Sequence, residues 1–319
     1  MNLNLLLENL TNPALLFFIL GIFSTVIKSD LKIPSNSSKF ISIYLLFSIG
    51  FKAGQELTHE SLNFDILLIM ISGVFISLAI PVYTFFIMKL RFNAYDSAAL
   101  AASYGSVSVV TFVTAYSFLE MKDLEMSGYM VVVMALMESP SIIIGLLLFT
   151  LFQNLEEEKL NKRTAFKHAL TNGSVVLILG SLLIGYLADA KQAEGIKPFT
   201  NDIFKGFLAV FLLDMGIESG KKLKSFFSYG WFPIVAAIIL PIFNGCLVAY
   251  SSSIISDNIS DRFIISILAA SASYIAVPAA MKMTLPKANT GLLLPMALAI
   301  TFPINITVGM PLFFQIVSH

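Results

Sequence analysis

Two stretches of this chain gather small hydroxyl side chains inside runs that otherwise lack charge. Asp96-Ser-Ala-Ala-Leu-Ala-Ala-Ser-Tyr-Gly-Ser-Val-Ser-Val-Val-Thr111 holds Ser103, Ser106 and Ser108 around Gly105. Ile265-Ser-Ile-Leu-Ala-Ala-Ser-Ala-Ser-Tyr-Ile-Ala-Val-Pro-Ala279 holds Ser271 and Ser273 ahead of Pro278. Glycine and proline weaken helices, so each run reads as a helix broken near its middle. Gly105 lies nine residues past Asp96, roughly 14 Å along a helix, and Ser271 ten past Asp261, roughly 15 Å. Lipid satisfies no backbone N–H, so such breaks must face protein or water. If the second halves begin face to face, two helix N-termini point at one spot. Each carries about +0.5 charge and free N–H donors, which suits a small anion. The competing reading is that Ser, Ala and Gly simply let helices pack closely. That reading suffices for any single serine, but the duplicated cluster at matching depth favours a site.

The acids supply the complementary chemistry. Glu138, in Ala135-Leu-Met-Glu-Ser-Pro-Ser141, follows twelve residues without a charge and precedes another apolar run. Intramembrane carboxylates are costly and usually functional, so Glu138 is a cation ligand or proton carrier, or else a neutral, hydrogen-bonded structural group. Its counterpart in the second half is Thr301, which would make such a role asymmetric. Asp214, after the apolar run from Phe207 to Leu213, is a second open candidate. Lys52 and Glu56, like Glu218 and Lys222, stand four apart, the spacing of local helical ion pairs. Cys246 is a lone cysteine in an apolar run, which excludes an intrachain disulfide. His59, His168 and His319 show no metal-ligand spacing. A metal site is therefore not expected, nor is a cofactor.

The elements that must position these residues are membrane helices. The chain is 57% hydrophobic and 13% charged, against roughly 25% charged for soluble domains. Apolar runs fall at about 13–27, 39–54, 65–88, 95–118, 127–152, 172–189, 200–220, 227–250, 261–283 and 289–315. Most reach the ~20 residues needed to cross a bilayer core, and the first, second and sixth are the shortest. Met1 to Thr11 lacks a basic stretch and a small-residue cleavage site, so the first run reads as a true span.

The second half repeats the first. Gly50-Phe-Lys-Ala-Gly-Gln-Glu-Leu57 returns as Gly216-Ile-Glu-Ser-Gly-Lys-Lys-Leu223, and Leu100-Ala-Ala-Ser103 as Leu268-Ala-Ala-Ser271. Pro81 and Pro241 precede those serine motifs, and Pro140 and Pro303 follow them, at offsets of 160 and 163 against 166 and 168 for the motifs. With ten spans, 14 of the 20 Lys and Arg fall in odd-numbered loops, which places those loops in the cytoplasm and both termini outside. Five spans per repeat is an odd number, so the repeats insert with opposite orientation. The expected fold is therefore an all-α membrane protein, a 5+5 inverted repeat with the fourth and ninth helices broken. Its parts are a first five-helix repeat over 1–152, a cytoplasmic linker over 153–171 and an inverted repeat over 172–319. The linker's charged segment, Glu156 to Arg163, reads as a solvated connection. Repeat symmetry is a common construction in secondary transporters, with the substrate site at the repeat interface.

Gly50 to Leu57, Ala102-Ser-Tyr-Gly-Ser-Val-Ser108, Ala135-Leu-Met-Glu-Ser-Pro-Ser141, Asp214-Met-Gly-Ile-Glu-Ser-Gly220 and Ala270-Ser-Ala-Ser-Tyr-Ile-Ala-Val-Pro-Ala-Ala280 resemble the sodium-dependent bicarbonate transporter family of cyanobacteria and other bacteria. The resemblance covers nearly the whole chain. It implies Na⁺-coupled uptake of bicarbonate across the plasma membrane by a homotrimer, with spans 1, 2, 6 and 7 as gate and the rest as core. It implies bicarbonate at Ser103, Gly105, Ser106, Val107 and Ser108 with Ser271, Ala272 and Ser273. The Na⁺ candidates are Glu138, Ser108, Thr111 and Asp214. The linker is shorter than in the typical cyanobacterial member, which counts against docking of the family's PII-like regulator.

The reading is thus a secondary active transporter for a small anion, bicarbonate with Na⁺, and not an enzyme or a nucleic-acid binder. A Na⁺- or H⁺-coupled carrier of another small anion shares the architecture. A membrane-embedded sensor or enzyme is the rival from another class; no His/Asp, Ser/Lys or paired-Asp constellation recurs at facing depths.

Overall fold

A computed structural model describes residues 11–58, 64–152 and 173–319, and every element among them is helical. The linker 153–171, with its charged segment, and His59 and His168 lie outside the described residues. The first half contains α1 (Pro13–Val26), α2 (Ser35–Leu57), α3 (Phe64–Lys89), α4 (Ala94–Gly105), α5 (Val109–Glu120), α6 (Met130–Glu138) and α7 (Pro140–Phe152). The second begins with α8 (Gly173–Leu187) and α9 (Ala190–Lys197). A short π-helical turn leads into α10 (Phe204–Phe226), followed by α11 (Trp231–Ser251). It continues with α12 (Ile259–Ala270) and α13 (Ala276–Thr284). It ends in one irregular helical rod made of α14 (Thr290–Leu294), α15 (Phe302–Ile304) and α16 (Met310–Val317), joined by π-helical turns.

Among the described residues, five helical segments are long and apolar enough to cross a membrane: Phe64–Lys89, Ala94–Glu120, Met130–Phe152, Trp231–Ile254 and Thr290–Val317. They differ in what surrounds them. The most apolar stretch of Ala94–Glu120 is 89% buried, that of Phe64–Lys89 only 33%. The small-residue helix is therefore enclosed by protein, whereas α3 turns Phe64, Leu67, Ile71 and Phe75 outward. α1 and α8 have 14 and 15 residues, short of the ~20 a crossing needs.

Corresponding residues of the two halves form corresponding local structure. Asn93 caps α4 by accepting the Asp96 N–H at 2.9 Å. Asn258, at the same place before α12, accepts from Ser260 and Asp261. Each capped acid then reaches the start of a helix in the other half of the chain. Asp96 accepts the Asn289 backbone N–H at 2.7 Å just before α14. Asp261 accepts from the hydroxyls of Ser127, at 3.0 Å, and Tyr129 just before α6.

Helix crossings follow the same exchange. α1 packs on α10, and α2 packs on α8. In the first crossing Gly21 lies against the Leu213 carbonyl and Gly216, and Gly216 against the Phe18 carbonyl. In the second, Gly54 lies against the Leu182 carbonyl and Gly185 against the Phe51 carbonyl. A β-carbon at any of these glycines would overlap backbone, so only glycine permits the approach.

Prolines inside helices leave carbonyls without their usual donor. Pro241 in α11 cannot donate to Ala237, four residues back. The Thr301 hydroxyl, from the π-helical turn before α15, donates to that carbonyl at 2.7 Å. Thr301 also shares a 2.8 Å hydrogen bond with the Tyr104 hydroxyl at the end of α4. Pro81, the counterpart in α3, plays a steric part: its ring lies directly against Gly105, where a β-carbon would also come within 3.1 Å of Ser141.

Candidate functional site

The chain breaks between α4 and α5 at 106–108, and between α12 and α13 at 271–275. Apart from exposed Ile275, both breaks are largely buried, and they are stitched to each other. The Ser273 N–H donates to the Ser103 carbonyl at 2.9 Å, and the Ser103 hydroxyl donates to the Ser273 carbonyl at 2.7 Å. The Ser108 N–H donates to the Ser271 hydroxyl oxygen at 3.0 Å. The extended residues Ser106 and Ser271 keep their own N–H groups on the Ala102 and Leu268 carbonyls, each at 3.1 Å.

After each break the new half-helix is capped by a serine. Ser108 Oγ accepts the Thr111 N–H at 3.2 Å, and Ser273 Oγ accepts the Val277 N–H at 3.3 Å. The first turn of a helix holds N–H groups with no intrahelical acceptor. Val109 and Ala276, which open the two half-helices, both line one cavity of about 60 Å³. That is several times the ~10–15 Å³ a single water requires. Val107, Ser108, Ser273 and Glu138 line it too, with Tyr274 and, from neighbouring helices, Ser42 and Phe211. The cavity thus joins two positive helix ends, four hydroxyl-bearing residues and one carboxylate.

The other predicted residues stand around this cavity, not on it. The Ser106 hydroxyl donates to the Glu138 carbonyl at 3.1 Å. The Ser271 hydroxyl donates to the Leu268 carbonyl at 2.7 Å. Ser103, Ala272 and Thr111 are buried within the stitched backbone, and Gly105 is buttressed by Pro81. Asp214 is buried on α10 one turn beyond Phe211 and bonded by the Ser38 hydroxyl. Glu138 closes α6 just before Ser139 and Pro140, where the rod bends between α6 and α7.

Two sequence expectations change. Pro278 does not make the second break; it occupies the first turn of α13, where its missing N–H is harmless. Lys52 forms its ion pair not with Glu56 but with Glu120 of α5, at 3.1 Å. Glu218 also meets Lys221, three residues on, at 2.9 Å. Sequence reasoning gave no role to Ser42, Phe211 or Tyr274. Tyr274 sat inside a recognised motif, but Ser42 and Phe211 carry no signal beyond lying in apolar runs.

The family model of the Na⁺-dependent bicarbonate transporter superfamily matches residues 13–318. The chain belongs to that superfamily. No curated protein matches it significantly. As a member of the Na⁺-dependent bicarbonate transporter superfamily it is a multi-pass membrane transporter, in keeping with its apolar helices. The serine-rich and Glu138 segments of this superfamily member all lie within the matched region.

Proposed function

We propose that the protein is a Na⁺-coupled bicarbonate symporter that binds its anion between the two broken helices. The observation that carries this reading is the cavity on which two serine-capped half-helices and Glu138 converge. The anion sits at the half-helix ends, with Ser108, Ser273 and the backbone of Val107 closest. Ser103, Gly105, Ser106, Ser271 and Ala272 hold the two breaks in register. Na⁺ sits toward Glu138, with Ser108 and Thr111 nearby, and Asp214 serves the path to the site.

The exchanged pairings, α1 with α10 and α2 with α8, support a 5+5 inverted repeat of ten spans. In this reading α1, α2, α8 and α10 form the gate and the remaining helices the core. Charge places the termini on the extracytoplasmic face of a bacterial plasma membrane, and the resemblance makes the assembly a homotrimer. Na⁺ moving inward gains about 2.3 kcal/mol per 100 mV, which offsets the same field acting against the anion.

The test is uptake of labelled bicarbonate into vesicles with and without an imposed Na⁺ gradient. Gradient-dependent uptake supports the reading; competition by other small anions without any effect of bicarbonate would reassign the substrate.

A further inference from the structure

Two chambers lie along one seam. The small cavity is walled by Leu45 and Leu46 of α2 and by Val110 and Val113 of α5. Farther along the same helices, Lys52 and Gln55 face Tyr116 and Glu120 across a second cavity of about 660 Å³. From Val113 to Tyr116, or from Leu46 to Lys52, the two chambers are roughly 5–9 Å apart along the helices. Buried Ile49 lies within that interval, and buried Phe51 forms the near wall of the large chamber.

One ionic contact bridges the seam. Lys52 Nζ lies 3.1 Å from Glu120 Oε1, with side chains only 13% and 23% exposed. The ammonium also lies 3.4 Å from the Tyr116 hydroxyl. It stands 5.2 and 5.1 Å from the ring centres of Tyr116 and Phe204, within cation–π range. The other Glu120 oxygen is 3.9 Å from Lys205 Nζ on α10. Both lysines therefore belong to helices packed together, since α10 contacts α2. The acid ends the half-helix that starts at the anion cavity.

We propose that Lys52 and Glu120 form a latch that closes the seam between the large chamber and the anion cavity. Movement of α5 relative to α2 must separate them, and while they are paired the cavity is shut off from this chamber. The partly buried setting shields the pair from the screening that makes exposed pairs weak. The proposal rests on the transport reading, but its test does not need the substrate to be known.

In a Cys246→Ala background, Val110→Cys reports access to the small cavity and Glu56→Cys reports access to the large chamber. Intact cells are treated with a membrane-impermeant thiol reagent. Glu120→Gln and Lys52→Met are each expected to speed labelling at position 110 by roughly two- to fivefold, the shift a partly screened pair supplies. The charge exchange Lys52→Glu with Glu120→Lys, made together with Lys205→Met so that no like charge faces position 120, is expected to return it toward the parent rate. Position 56 should label at one rate throughout; if it fails to label, the chamber faces the cytoplasm and the same comparison is made in inverted vesicles. An unchanged rate at position 110 in Glu120→Gln overturns the latch, as does an exchange variant that stays fast. Absent bicarbonate uptake with the labelling pattern intact would reject the substrate and keep the latch.

Discussion

Glu138→Gln separates a cation-binding carboxylate from a structural one. The substitution preserves size and the backbone contacts, because the Ser106 and Ser141 hydroxyls bond the Glu138 carbonyl and not its side chain. Folding is therefore expected to survive. Glu138 lines a cavity of about 60 Å³. An ion held there stays within roughly 5 Å of its wall, where two unit charges attract by about 3 kcal/mol at an effective dielectric constant of ~20. Loss of the charge is expected to raise the Na⁺ concentration for half-maximal uptake by roughly ten- to two-hundred-fold. At limiting Na⁺ the apparent anion affinity falls as well, since coupled ligands affect each other reciprocally, and saturating Na⁺ restores most of it. The assay is initial uptake of labelled bicarbonate across a Na⁺ titration, alongside folded yield. An unchanged half-maximal Na⁺ concentration in well-folded Glu138→Gln would refute the electrostatic argument and leave a neutral, hydrogen-bonded role.

Three further outcomes follow from the same geometry. Ser273→Ala is expected to weaken anion binding by about 0.5–3 kcal/mol, measured as a shift in half-maximal bicarbonate, and Ser273→Leu to abolish uptake by filling the cavity; normal transport by Ser273→Leu would move the site elsewhere. Gly105→Ala is expected to destabilise the fold by about 1–3 kcal/mol, because its β-carbon would press into the Pro81 ring, and thermal unfolding in detergent should partly recover with Pro81→Ala. Thr301→Val leaves the Ala237 carbonyl without a donor, at a cost of about 1–3 kcal/mol. Pro241→Ala, which restores the helical N–H, is expected to recover part of the lost thermal stability, and no recovery would refute the account of Thr301.

Much of the site is legible because its signals are local and duplicated. Gly105 and the repeated Leu-Ala-Ala-Ser mark both breaks to within a few residues. What sequence hides is tertiary. Ser106 and Ser271 look equivalent to Ser108 and Ser273, yet their hydroxyls are committed to carbonyls of Glu138 and Leu268; only the fold decides which hydroxyl meets the cavity. Gly105 reads as a helix breaker, but its stronger constraint is a ring 24 positions earlier. Lys52 has a suitable acid four residues away and nonetheless crosses the seam to one 68 residues on. Local spacing describes what a helix can do alone, and it loses to a better-buried partner.

The charge pattern of the cavity bears on why coupling is needed at all. Two half-helix N-termini bring about +0.5 each, so they favour an anion and oppose a lone cation. Glu138 on the same cavity, if ionised, opposes a lone anion by roughly the same amount. Neither ion alone suits this arrangement, whereas an anion at the helix ends together with a cation at the carboxylate neutralises both. Coupling on this view needs no distant relay, because each ligand removes the electrostatic penalty the other would meet. A protonated Glu138 would remove the penalty without Na⁺, and the cation would then have no reason to bind first or to raise anion affinity. The Na⁺ titration of Glu138→Gln therefore tests the coupling mechanism itself as well as the role of one residue.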